Sequence, residues 1–181
     1  FLRALTLAAL AATSLKAQTI AIVGGTVYPV SGPRIENGTV IIRDGRITAV
    51  GRDIPVPDGA TRVDARGKWV VPGFINSATT LGLSEAGSPQ FSGGYNDAGA
   101  RGSRGVAASF EVWRGINPAS NLFAPARDEG VTSVAVYGNG GMVSGKTALL
   151  DLVEGRSVSD MLRKGPVAMM GNFDNPGAGE S

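Results

Sequence analysis

The chain has 181 residues, carries 17 Lys and Arg against 15 Asp and Glu for a formal charge of +2, and contains no His and no Cys. The two missing residue types exclude disulfides, thiolate metal sites, cysteine nucleophiles, imidazole bases and Ser-His-Asp triads, so any catalysis falls to carboxylates, lysine, hydroxyls or backbone groups. A charge this small, with no run of Lys or Arg, gives no reason to expect a nucleic-acid partner.

Residues 1–17 place Arg3 before an apolar run from Leu5 to Ala12 and then small and polar residues. That order is expected of a secretory signal peptide with its start clipped, cleaved after Ala17. The run is too short to span a bilayer. Removing the segment removes Arg3 and Lys16 and no acid, so the mature chain has no membrane span and balanced charge. The expected location is periplasmic or secreted.

Residues 18–67 are dense in strand signals. Thr19–Val23 is β-branched and apolar, Gly24-Gly25 punctuates it, and Thr26–Val30 follows before a turn near Ser31-Gly32-Pro33. Thr39–Arg43 and Arg46–Val50 flank Asp44-Gly45, the strongest short signal for a β-hairpin. Ile41 and Ile47 are expected on one buried face. Ile54–Asp58, with two prolines, reads as an edge or loop. Thr61–Asp64 adds a short strand, giving a small antiparallel β unit.

The pattern changes at Lys68. The segment WVVPGFIN is nearly continuous in apolar residues, as for a strand buried on both faces. Residues 84–105 are rich in Gly and Ser and read as a long loop. Ser120–Glu129 is predicted to be a helix closed by Gly130, and Val131–Tyr137 a buried strand. Gly138–Ser144 reads as a Gly-rich loop, Lys146–Leu152 and Ser157–Lys164 as short helices with Ser157 an N-cap, and Pro166–Asn172 as a strand. Alternation of strand and helix predicts a parallel α/β arrangement.

Residues 140–147, GGMVSGKT, match the phosphate-loop pattern, in which glycine N–H groups face phosphate, the lysine reaches its oxygens and a hydroxyl binds magnesium. The pattern makes a nucleotide binder a remote alternative. The competing reading is a tight strand-to-helix turn with Lys146 solvated or lining a cleft. A second oxygen-ligand set, Glu85, Asn96 and Asp97 with Asn172, Asp174 and Asn175, suits calcium or magnesium better than zinc.

Three segments carry a resemblance: IVGGTVYPVSGPRIENGTVIIRDGRITAVG, VDARGKWVVPGFINSATTLGL and INPASNLFAPARDEGVTSVAVYGNGGMVSGKTALL. Together they resemble the N-terminal part of the amidohydrolase superfamily, in its imidazolonepropionase-like and secreted dipeptidase-like branch. The resemblance implies an α/β chain, with a small β-sandwich plus the first strands and helices of an incomplete TIM-like (β/α)8 barrel. It assigns residues 18–67 to the sandwich and 68–181 to the barrel, with PGFIN as barrel strand 1 and VTSVAVYG as strand 2. A full barrel needs ~250 residues, so a further C-terminal part of the same chain is expected to complete the fold.

The resemblance also implies metal-dependent hydrolysis of non-peptide or dipeptide C–N bonds, with a divalent metal such as zinc as cofactor and a small molecule as substrate. Active members carry Asp-x-His-x-His after the PGxI strand. Here Asn76 stands at the aspartate position, and Ala78 and Thr80 at the two ligand positions. Ala has no donor atom and a neutral Thr hydroxyl is a poor zinc ligand, so the first ligand pair is expected to be lost. Asn76 and Thr79 are left to bond a ligand or cap the strand end, with Lys146 as a third candidate contact. The readings left open are a hydrolase, active or inactive, and a non-catalytic binding or interaction protein on the same scaffold.

Overall fold

The computed structural model describes residues 18–85, 106–154 and 157–172. The expected signal peptide at 1–17 and most of the Gly/Ser-rich loop lie outside them. The chain divides between Pro72 and Gly73 into two compact units. No described helix is long and apolar enough to cross a membrane.

The first unit is a five-stranded sheet. Strands β1 (Thr19–Val27), β2 (Ile35–Arg43), β3 (Arg46–Arg52) and β4 (Thr61–Asp64) lie in the order β3-β2-β1-β4, and β5 (Trp69–Val70) also pairs with β1. β1 continues through Gly24-Gly25, which produce register shifts instead of ending the strand. The meander β1-β2-β3 is antiparallel, as expected, but β4 and β5 run parallel to β1. The purely antiparallel expectation is thereby corrected. β3 already runs with β1, and the proline-containing crossover after it carries the chain past β2 to the other side of β1 in the same direction.

Asp44 and Gly45 have φ of 51° and 71°, the left-handed pair that a two-residue hairpin turn requires. The expectation for Ile47 fails. Ile42 pairs with Ile47 but Ile41 pairs with Ala49, so Thr48 is an extra residue in a β-bulge. Its hydroxyl donates to the Ile41 carbonyl at 3.3 Å. Ile47 lies on the turn side of that bulge, directly opposite Ile42, so it shares the face of Ile42 and not that of Ile41. Ile41 is 3% exposed and Ile47 is 66% exposed.

The second unit contains β6 (Phe74–Thr79), a 3-10 turn (Val112–Gly115), α1 (Phe123–Asp128), β7 (Val131–Val136), β8 (Val143–Lys146), β9 (Ala148–Asp151), α2 (Val158–Met161), β10 (Leu162–Lys164) and β11 (Met169–Gly171). A four-stranded sheet has the order β10-β9-β7-β6, and β8 pairs with β11 separately. β6 and β7 are parallel, joined by a crossover that contains α1. This is an α/β arrangement, with the β-strand unit before it. The helix is shorter than expected. Ser120 sits in the turn before it, its hydroxyl accepting from the Leu122 N–H at 3.3 Å. Pro125 falls in the first turn, where no N–H bond is lost. Gly130 follows the helix, as expected.

Three sequence expectations are corrected here. Lys146–Leu152 is not helical; it is the end of β8 and the whole of β9. Ala148 and Leu150 are fully buried while Leu149 and Asp151 are partly exposed, the period of a strand. Strands β9 and β10 are antiparallel to their neighbours, so the parallel alternation holds only for β6-α1-β7. The segment WVVPGFIN is neither continuous nor buried. It breaks at residues 71–73, and Trp69, Phe74 and Ile75 are 77%, 57% and 63% exposed. Among the described residues β6 has a strand neighbour, β7, on one side only.

Ser157 caps α2 as predicted, its backbone N–H donating to Asp160 Oδ2 at 2.9 Å, although the helix lasts one turn before β10. The core of this unit gathers Leu83, Val112, Ile116 and Phe123 from the crossover with Val134, Val136, Ala148, Leu150 and Met161.

The opposite facing of Ile41 and Ile47 generates a direct prediction. Ile41→Ala is expected to cost about 2–4 kcal/mol in a urea unfolding titration of the chain, and Ile47→Ala no more than about 0.5 kcal/mol. Equal losses at the two positions would contradict their placement on opposite faces.

Candidate functional site

Two parallel strands that end together bring their following loops to the same place. Thr79 pairs with Val136, and the Tyr137 N–H donates to the Thr79 carbonyl at 3.0 Å. Past this point lies a cleft of about 420 Å³. One wall is Ala78, from the end of β6. A second is Tyr137, Gly138, Asn139 and Gly140, from the loop after β7. Ser144 of β8 and residues 170–172 of and beyond β11 complete it.

The walls are fastened to one another. The Ser144 hydroxyl, 2% exposed as a residue, donates to the Gly140 carbonyl at 2.9 Å. The Asn172 N–H donates to the Met142 carbonyl at 2.8 Å. Among the described residues the lining contains carboxamides, hydroxyls and backbone, and no Asp, Glu, Lys or Arg.

The sequence candidates are distributed differently from expectation. Asn76 accepts the Ala78 N–H through Oδ1 at 3.1 Å, and Thr79 accepts the Leu81 N–H through Oγ1 at 3.2 Å. Both thus cap the end of β6 locally. Neither lines the cleft. Lys146 also lies outside it: its ammonium is 3.5 Å from Glu111 Oε1. Glu111 in turn accepts from Arg114 Nε at 2.7 Å, and the Arg114 bond, reinforced by the charges of Arg114 and Lys146, holds its carboxyl below the ordinary range.

The phosphate-loop pattern has no matching geometry. Lys146 closes a strand, Gly145 has φ of 93°, and the chain continues into β9 with no helix N-terminus to face an anion. A Cβ at Gly145 would come 2.6 Å from the Phe110 carbonyl, so this glycine serves the close approach of residues 106–111 to β8.

Ala78 presents only a methyl group, and the Asn76 carbonyl oxygen is engaged by the backbone. The residues present at this motif do not fit a catalytic zinc ion. Among the described residues no group of three or more acidic, His or Cys side chains converges for a metal. Of the second oxygen-ligand set, Glu85 accepts from Asn117 Nδ2 and Ser120 Oγ, each at 3.0 Å, and so ties residue 85 to the turn before α1. Asn172 lines the cleft, and Asn96, Asp97, Asp174 and Asn175 lie outside the described residues. Tyr137, Asn139 and Ser144 were not singled out from sequence. The available signal was their place just after a strand expected to end at a barrel mouth.

The architecture is that of an amidohydrolase-type chain: a β-strand unit followed by the first parallel strands of a TIM-like barrel. No family model matches the sequence. An imidazolonepropionase of Cupriavidus taiwanensis is 28% identical over 123 residues, 60% of this chain and 29% of that protein. A dihydroorotase of an Anaeromyxobacter species is 37% identical over 70 residues, 39% of this chain and 14% of that protein. The crystal structure of an amidohydrolase from Thermotoga maritima superposes with a TM-score of 0.72 at 26% identity, over 83% of this chain and 38% of that one. The chain is thus amidohydrolase-like in sequence and fold, and it spans less than a third of the curated relatives it matches.

A second surface feature lies on the first unit, where Asp64 and Arg66 meet in a shallow groove with Val23, Gly24 and Arg62. Arg66 Nη2 donates to Asp64 Oδ2 at 2.6 Å and Nε donates to Oδ1 at 3.0 Å. The hydrogen bonds from the Arg66 side chain and backbone hold the Asp64 carboxyl at about 2. Because folding lowers this pKa, the pair is fully formed above the ordinary value of ~3.9 and disappears as pH falls through the depressed one. A carboxyl-detected NMR titration is expected to place Asp64 near 2 and to move it up toward the ordinary range in Arg66→Gln, which removes the side-chain bonds and keeps the backbone N–H bond; an unchanged midpoint in that variant would refute the assignment.

Proposed function

We propose that this chain belongs to an exported amidohydrolase-like protein that binds a small molecule at the shared end of β6 and β7, without a metal held at the first ligand pair. The observation that carries the reading is Ala78. It lines the cleft at a position where the resemblance expects a metal-ligating side chain, and it offers none. The neighbouring Asn76 is spent on a turn of its own backbone. A metal-bound hydroxide is the family's route to a strong nucleophile at neutral pH, so the reading favours binding over hydrolysis. The cleft sits at the end of the parallel strands, where sites in TIM barrels are built. The order of Arg3, the apolar run and the small residues before Gln18 supports export.

Two measurements test this. Purified protein equilibrated with zinc and then desalted is expected to retain well under one zinc per chain by elemental mass spectrometry; stoichiometric zinc overturns the proposal. Intact-mass analysis of protein recovered from the native host is expected to show a mature start at or near Gln18, and a retained Phe1–Ala17 segment would remove the exported part of the reading.

A further inference from the structure

The geometry points to a definite ligand class for the cleft: an uncharged, hydrogen-bonding small molecule, with carboxylate-bearing molecules selected against. The inference rests on the preceding reading that this cleft is a binding site, and it adds the charge of what binds. Four of the nine lining residues are Gly or Ala: Ala78, Gly138, Gly140 and Gly171. Short side chains leave the backbone as much of the lining surface, where N–H groups donate and carbonyls accept; the N–H groups of Ala78, Tyr137 and Asn172 are already donated within the protein. The remaining polar groups, on Tyr137, Asn139, Ser144 and Asn172, are hydroxyls and carboxamides, which carry no formal charge, and the Ser144 hydroxyl, donating to Gly140, is left as an acceptor.

A ligand that both donates and accepts finds partners on such a surface. A carboxylate entering it sheds hydration and, among the described residues, meets no lining Lys or Arg to compensate, which is costly wherever water is displaced. The nearby cation does not supply the missing charge. Lys146 is paired with Glu111, and Glu111 is also held by Arg114. An ammonium ligand meets the mirror-image difficulty, since among the described residues no Asp or Glu lines the cleft. The pinning of Gly140 by Ser144, and of Asn172 to Met142, means the walls stand in place before a ligand arrives, which lowers the ordering cost of binding.

The test uses two probes of nearly equal shape and different charge, lactamide and lactate. The full chain, labelled with nitrogen-15, is titrated with each at pH 7 while amide shifts are followed. Lactamide is expected to move the resonances of Gly138, Gly140 and Gly171, with a dissociation constant at least about tenfold below that of lactate, a difference of ~1.4 kcal/mol. In Asn139→Lys the preference is expected to reverse, because the new ammonium supplies the missing countercharge at an exposed lining position. If lactate binds the same residues as tightly as lactamide, the neutral class is overturned while the cleft stands as a binding site. If neither probe moves these resonances, both the class and the binding reading fall.

Discussion

Phe74 faces Val131 and Thr79 faces Val136 across a parallel ladder, and the rest of the second unit is arranged by that pairing. Parallel neighbours cannot be joined by a tight turn. The chain must leave the end of β6, cross one face of the sheet and return to the start of β7. The crossover contributes Leu83, Val112, Ile116 and Phe123, each no more than 5% exposed. They cover Val134 and Val136 of β7, and β9 supplies Ala148 and Leu150 to the same core. At ~25 cal/mol per Å² of apolar area, burial of this kind is the dominant favourable term holding the unit. The same ladder has a second consequence: both strands stop at one end, so the residues after them converge there and leave a cleft.

Among the described residues, charges of this unit pair with one another and none lines that cleft. Asp151 accepts from Ser133 Oγ at 2.8 Å and from Arg163 at 3.3 Å, near the start of β7. Arg127 pairs with Glu154 at 3.5 Å. Glu111 takes up both Arg114 and Lys146. Exposed pairs such as these contribute at most about 1 kcal/mol each, so their placement says little about stability. It says more about the field at the cleft. With each of these carboxylates and cations matched locally, what the described residues present at the mouth is the dipoles of amides and hydroxyls.

The parts of the fold that were readable from sequence are those encoded by a local requirement. Asp44-Gly45 demands left-handed backbone and so announces its hairpin. The β-branched run 131–136 announces β7, and Gly130 after α1 announces where the helix stops. The parts that were missed depend on distant partners. The bulge at Thr48 leaves no trace in the hydrophobic pattern, yet it sets Ala49 in place of Thr48 opposite Ile41. Lys146, Ala148, Leu149 and Leu150 are good helix formers, and pairing of 148–151 with β7 overrides that preference. The composition of WVVPGFIN suggested burial, but burial depends on having neighbours on both sides, and among the described residues β6 has β7 on one side only. For the site, Ala78 was legible because it departs from a motif. Tyr137, Asn139 and Ser144 were not, because only the topology brings them to Ala78.

The absence of His takes on a specific meaning at the end of β6. A strand that stops at a barrel mouth leaves backbone N–H groups in need of partners. Here Asn76 and Thr79 each satisfy one of them two residues on, at Ala78 and Leu81. The strand end is therefore closed by its own side chains and needs no ion to organise it. This arrangement is also hard to reverse by a single change. A donor placed at position 78 would supply one ligand, whereas a catalytic zinc site uses three from the protein. The Asn76 oxygen would still be held by the backbone, and position 80 would still carry a neutral hydroxyl. Regaining a metal would require the turn to be given up and at least two side chains to change together, so the local hydrogen bonding and the missing ligands reinforce one another.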